Sequence, residues 1–429
     1  MSDRLAVNEH YLDRLVEAAA KRGVEATEDI VSGSGVKLVA KGAAIDARTR
    51  EQLLQHKLLK PLETCTRIVG GAGSRAMDEM ARGLIHRHAL LAGLCSGGCA
   101  EVIEQAFTSL QLSPPLESLL TLYAEQGPQK LEHAVSVSLM AAALMLNVEP
   151  ARPLEPLLVA GLLHDVGELY IDPAILAQGD ALSTAQWKHV AVHPVLAANL
   201  LSSLPGAGPA VAQAVLHHHE RMDGSGYPRS LRGEEVPLSG QVLGLAETLA
   251  AIIEAGGDAE RHASVMLKLM SREFDRRLLD RVSCATQPGS LAPLDAAATP
   301  RGALLHLQAA DMTSRLLALQ GLPGMLDGTH CSMPLAELLD RAQERQHGLM
   351  QTLFSAGLDQ AADALPDDDD GSAALQARYE AAIVLGELDA RLQGLQRDLI
   401  WRSEQLDAAE REQWLAAVMR HLPTRVLSL

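Results

Sequence analysis

His217-His218-His219-Glu220-Arg221-Met222-Asp223-Gly224-Ser225-Gly226-Tyr227-Pro228 sets imidazoles, a carboxylate and a glycine-broken turn side by side. The chain has 16 histidines in 429 residues, so three in a row followed by a carboxylate is a rare combination. Imidazoles crowded together near pH 7 are metal-ligand chemistry. Asp223-Gly224 and Gly226 permit positive φ, and Pro228 fixes a rigid exit. The stretch reads as a metal-binding helix end followed by a shaped loop, and its missing ligands have to come from elsewhere in the chain.

Around it the pattern is helical. Pro114-Pro115 opens a region in which the apolar spacing predicts helices at 116 to 125, 129 to 147, 154 to 164, 184 to 203, 209 to 219, 239 to 255 and 260 to 281. Ser183 with Gln186 suggests a capping box, and Pro209 suits a first helical turn. The expected fold class is therefore mainly α: an all-helical domain over 116–290, a small α+β accessory region over 1–115 and a helical region over 291–429. In the first region, helices are predicted over 11 to 21, 48 to 59 and 74 to 94, with a short strand between Gly35 and Gly42. In the last, Leu385, Leu388, Leu392, Leu395 and Leu399 recur at three- and four-residue steps. That seam suits either intramolecular core, the commoner use, or a homodimer interface. The Asp367 to Asp370 run reads as a solvated linker.

Composition narrows the function. Hydrophobic residues are 47% and aromatics only 3%, so the core is built of Leu, Ala and Val. A formal charge of -17 argues against binding a nucleic acid polymer, which needs many phosphates neutralised by Lys and Arg. A small anion held by metal ions stays compatible with it. Five cysteines and an N-terminus without a signal pattern predict a reducing cytoplasm, and the apolar runs predict no membrane segment. Cys95 and Cys99 lack Cys-x-x-Cys spacing and read as idle thiols.

The same helical region offers further ligands. His164-Asp165 ends an apolar helix, His193-Pro194 lies in the next stretch, and His133 and Glu247 sit on apolar helices. Each has a plainer reading: His133 as a satisfied core histidine, His193 as a cap, Glu247 as a partner of Arg261. Taken jointly those readings weaken, because the elements recur about 25 to 31 residues apart, one helix-turn-helix each.

His164-Asp165, His193-Pro194, His218-His219-Glu220 and Asp223 to Pro228 together closely resemble the HD-GYP family, a branch of the HD superfamily of metal-dependent phosphohydrolases. Known members hydrolyse cyclic di-GMP. The resemblance covers about residues 116 to 290 and implies an HD-type domain. It implies His133, His164 and Asp165 as ligands of one divalent ion, with Asp165 bridging to a second held by His193, His218 and His219. Glu247 stands where the family usually has Asp and falls in the first ion's shell, and His217 is left outside. Glu220, Asp223, Gly224, Gly226, Tyr227 and Pro228 become the signature loop, a surface for substrate or signalling protein partners. Imidazole and carboxylate ligands together suit iron or manganese, with zinc and nickel as alternatives. The implied activity is phosphodiester hydrolysis of cyclic di-GMP to linear pGpG or GMP, centred on His164 and Asp165. The alternative is a catalytically weak module that binds nucleotide or protein partners.

The departures lie outside the ligand set. Glu168 stands where the family has a lysine for the substrate phosphate. Gln129 replaces a glutamate associated with a third ion, which favours two. Gly256 and Gln241 occupy positions that are usually basic, with Arg261 a substitute for the first.

Overall fold

The computed structural model describes residues 6–71, 74–179, 182–286, 293–296, 299–325, 332–358 and 371–422. It is mainly α. The chain divides into two compact units, one of residues Met1–Leu182, His189–Glu260 and Ser271–Gln287, the other of Ser183–Lys188, Arg261–Met270 and Pro288–Leu429.

The first unit opens with α1 (Glu9–Lys21), started by Asn8, whose side chain accepts from the Tyr11 N–H at 3.0 Å. Four short strands follow: β1 (Val24–Ala26), β2 (Ile30–Val31), β3 (Lys37–Val39) and β4 (Thr66–Ile68). β1 pairs antiparallel with β4, Val24 opposite Ile68, and β2 pairs antiparallel with β3. The strand expected between Gly35 and Gly42 is β3. The helix expected over 74 to 94 is two, Ser74–Arg87 and Ala89–Leu94.

The helices that matter for the site are α2 (Pro114–Ala124), α3 (Lys130–Val148), α4 (Glu155–Leu163), α5 (His193–Leu201), α6 (Pro209–Leu216) and α7 (Leu238–Glu254). α3 packs on both α4 and α7, and every residue from Ala134 to Met145 is buried. A helix apolar on all sides belongs at the centre of a core. α3 is also long and apolar enough to cross a membrane, and here its apolar surface is spent inside the protein.

α1 braces the segment that follows the His164-Asp165 pair. Tyr11 stacks on Tyr170 with ring centroids 5.2 Å apart, Asn8 donates to the Tyr170 carbonyl at 3.2 Å, and Arg14 donates to the Glu168 carbonyl at 2.6 Å. Those carbonyls belong to a short 3-10 turn, Val166–Tyr170, that holds Asp165 at its entrance.

The second unit contains α8 (Gly302–Leu319), α9 (Met333–Ser355), α10 (Ser372–Arg402) and α11 (Ala408–His421). The leucine seam from Leu385 to Leu399 is buried in one core with Met312, Leu316, Leu349 and Trp414. The Trp414 indole N–H donates to the Leu399 carbonyl at 3.0 Å, which satisfies the polar edge of a fully buried ring. The acidic run from Asp367 to Asp370 lies outside the described residues.

Candidate metal centre

Every candidate ligand histidine but His133 stands at a helix boundary. α4 ends at Leu163, and His164 and Asp165 follow at once. α6 ends at Leu216, so His218 and His219 lie in the turn beyond it and not on the helix expected through 219. The helix expected over 184 to 203 is interrupted at Val192, one helix ending at Ala191 and α5 beginning at His193. Pro194 is the cause: it has no N–H to continue the first helix and suits the opening turn of the next.

Ring orientation follows from those ends. The last carbonyls of a helix have no partner within it. Nδ1–H of His164 donates to the Gly161 carbonyl at 2.8 Å, that of His193 to Val190 at 2.8 Å and that of His218 to Val215 at 2.5 Å. In all three rings Nε2 is left to face inward with its lone pair, the tautomer a metal ligand needs. On α3, His133 places Nδ1 2.8 Å from Glu254 Oε1 and Nε2 3.3 Å from His164 Nε2.

Asp165 joins the rings. Its Oδ2 lies 3.4 Å from His164 Nε2, and its Oδ1 lies 3.2 Å from His193 Nε2 and 3.9 Å from His218 Nε2. Two donor groups result, His133 with His164 and Asp165, and Asp165 with His193, His218 and His219, the ligand atoms of each lying within 4.8 Å of one another. Asp165 is common to both. Gly244 allows this spacing on the far side, since a Cβ there would lie 2.1 Å from the His218 carbonyl oxygen.

The residues present fit divalent ions. His193 Nε2 and His218 Nε2 face each other at 3.3 Å, a pair that needs a shared proton or a cation between them. Glu247 Oε2 is buried without a hydrogen-bond partner, 3.6 Å from His219 Nδ1 and 4.0 Å from His218 Nε2. A bare buried carboxylate oxygen is costly, and a cation would cover it. Sequence reasoning put Glu247 in the shell of His133 and His164; its nearest imidazoles are those of the other group.

Protons compete for the same donors, and unevenly. Burial opposes charge on His164, but the adjoining Asp165 carboxylate outweighs it and raises its pKa to about 9; His193 is raised by the same balance. Burial, reinforced by neighbouring imidazoles, pushes His218 and His219 well below the ordinary histidine value. Burial and then the charge of Asp165 push the Glu247 carboxyl up.

The signature loop divides into braces and one contact. Glu220 is fully buried, with Oε1 accepting from the Arg229 N–H at 2.6 Å and Oε2 from the Leu231 N–H at 3.0 Å. It holds the loop shut on itself. Asp223 accepts from the Ser225 N–H at 2.9 Å, and Gly224 takes a φ of +79°. Gly226 is buried, and the Tyr227–Pro228 peptide is cis. Tyr227 reaches the cluster, its ring stacked on His219 with centroids 4.5 Å apart. His217 is buried, donates to the Gln213 carbonyl at 2.7 Å and belongs to neither donor group.

Two residues that sequence reasoning missed stand beside Asp165. The Tyr123 hydroxyl donates to Asp165 Oδ2 at 3.1 Å. Lys130 Nζ lies 2.8 Å from Glu168 Oε2 and 3.4 Å from the Tyr123 hydroxyl. Burial works against the lysine's charge, but Glu168 and Asp165 prevail and raise its pKa. Glu168 is thus paired with a cation from the helix that begins at Lys130. A polar tyrosine in an apolar helix is a signal that marks Tyr123; nothing in the spacing marks Lys130.

The other departures are accounted for by structure. Gln241 donates to the Val236 carbonyl at 2.9 Å and accepts from the Asp275 N–H at 2.8 Å, a bridge between two helix starts. Gly256 follows the end of α7 with a φ of +76°. Arg261 belongs to the second unit, its guanidinium 5.8 Å from the Tyr379 ring centre. Burial pushes the Cys95 thiol up to about 12, in keeping with an idle thiol.

Residues 117–281 match the family model described as HD domain. A 3'3'-cGAMP-specific phosphodiesterase of Vibrio cholerae is 26% identical over 260 residues, 56% of this chain and 55% of that protein. A cyclic di-GMP phosphodiesterase of Pseudomonas aeruginosa is 33% identical over 28% of this chain and 29% of its own length. A cyclic di-GMP phosphodiesterase response regulator of Xanthomonas campestris is 32% identical over 30% of this chain and 32% of its own. The chain spans about half the length of the first of these relatives and about a third of the others.

Proposed function

We propose, from the HD-domain match over residues 117–281 and the HD-GYP resemblance of its motifs, that the protein is a metal-dependent phosphodiesterase acting on a cyclic dinucleotide, with cyclic di-GMP its substrate and linear pGpG or GMP its product. The observation that carries this reading is the pair of donor groups sharing Asp165. Two divalent ions, iron or manganese by the mix of imidazole and carboxylate, would be held by His133, His164 and Asp165 on one side and by Asp165, His193, His218 and His219 on the other. Glu247 supplies the oxygen that otherwise stays bare. When bound, such a pair supplies an acidified water and neutralises charge on the phosphoryl oxygens.

The chain's own residues do the rest. The Gly161, Val190 and Val215 carbonyls hold three rings in the ligand tautomer. The Tyr123 hydroxyl fixes the Asp165 carboxylate. The Tyr227 ring stacks on His219 and braces that imidazole from the loop side.

The test is to purify the protein with iron or manganese supplied, count bound metal, and follow cyclic di-GMP and 3'3'-cGAMP to products. Metal near two per chain with conversion of cyclic di-GMP is expected. Metal without turnover of either dinucleotide would overturn the hydrolase and leave a binding module. Faster turnover of 3'3'-cGAMP would replace the substrate.

A further inference from the structure

We propose that Lys130 binds a phosphate oxygen of the dinucleotide, and that Glu168 is the positioning residue that aims it; the proposal rests on the phosphodiesterase reading above. Three observations carry it. First, Lys130 is linked to the shared ligand through a single hydroxyl. Its ammonium reaches the Tyr123 hydroxyl at 3.4 Å, and that hydroxyl donates to Asp165 Oδ2 at 3.1 Å. Second, Lys130 and Glu168 together line a cavity of about 630 Å³ whose opposite wall is α1. The lysine side chain is 35% exposed, so it is reachable from that space. Third, of the cations that line the cavity, Lys130 is the one joined by hydrogen bonds through Tyr123 to Asp165: Arg14 is turned to the Glu168 and Ile171 carbonyls, and Lys21 lies 3.6 Å from Glu125.

An ammonium has three N–H donors in a flexible point charge. Glu168 and Tyr123 take two, which fixes the long side chain and leaves the third direction for a ligand oxygen. A lysine without such a brace would lose rotamer freedom on binding phosphate. Glu168 therefore does more than cancel a charge. It holds the long Lys130 side chain in one place, so that its charge is directed and not merely cancelled.

The experiment compares metal-loaded wild-type protein with Lys130→Gln, Lys130→Arg and the charge-reversed pair Lys130→Glu with Glu168→Lys. Each is measured for bound metal, for KM and kcat with cyclic di-GMP, and for inhibition by linear pGpG, which reads phosphate binding without turnover. Lys130→Gln is expected to raise KM and weaken pGpG inhibition on the order of 10-fold, with kcat within about threefold and metal unchanged. Lys130→Arg, which keeps the charge, should stay near wild type, and the charge-reversed pair should recover most of the loss. Unchanged KM and unchanged pGpG inhibition in Lys130→Gln would overturn the proposal, as would loss of metal in that variant, which would make Lys130 a prop of the cluster. If wild type neither turns over cyclic di-GMP nor responds to pGpG, the phosphodiesterase reading falls and this one with it, a result distinct from the others because it appears before any substitution.

Discussion

In the first unit, a Cβ on Gly167 would lie 2.1 Å from the His193 carbonyl oxygen, and one on Gly244 2.1 Å from that of His218. In the second unit, Gly386 and Gly394 lie inside α10, and a Cβ on either would meet nothing within 4 Å. Both units are mainly helical, yet these glycines do opposite things: Gly167 and Gly244 are buried against main chain, whereas Gly386 is exposed and Gly394 half-buried. Around the histidines, glycine lets main chains approach until rings from separate helices share one carboxylate. In the leucine-lined core, spacing is set by large side chains, and glycine only weakens a helix. Close backbone contact is what brings the histidines of separate helices together, whereas the second core is set by its large side chains.

The contrast can be attacked from its strongest point downward. Asp165→Ala removes the one carboxylate common to both donor groups, so both ions should be lost and hydrolysis should fall by more than about 100-fold, the upper range for a residue one step out from a metal. Metal analysis beside a rate measurement checks it, and retention of full activity would refute the site. Leu392→Ala, at a fully buried seam position, should cost about 2 to 5 kcal/mol in denaturant unfolding and leave the folded protein's metal content alone. Gly244→Ala should cost about 1 to 3 kcal/mol by overpacking and, unlike Leu392→Ala, should also lower the metal retained after dialysis. Gly386→Ala should have the smallest effect and the opposite sign, a gain of about 0.5 to 1 kcal/mol in unfolding free energy. Equal losses from Gly244→Ala and Gly386→Ala would erase the distinction between the two cores.

Much of this was legible in the sequence because its signals are local. The apolar period located the helices, and the joint spacing of His133, His164, Asp165, His193, His218 and His219 picked out the residues that the structure gathers. What escaped was whatever depends on where helices stop. Pro194 divided one predicted helix, and the end of α6 at Leu216 put His218 and His219 in a turn. The side of the cluster on which Glu247 lies depends on the rotation of α7, which apolar spacing leaves free. Lys130 and Glu168 are 38 residues apart and meet only through the packing of α3 against its neighbours. A pair that only packing brings together is invisible to any motif read in order.

The hydrogen bonds from His164, His193 and His218 to carbonyls three residues earlier carry a constraint on how this site can change. Aspartate, glutamate or cysteine could replace imidazole toward a cation, but none in its ligating form has an N–H to give the helix end. Such a swap would strand a buried carbonyl as well as alter the donor set. At these positions a substitution must answer to helix termination and to ion affinity in one step, a double demand that Lys130 and Glu168 do not face.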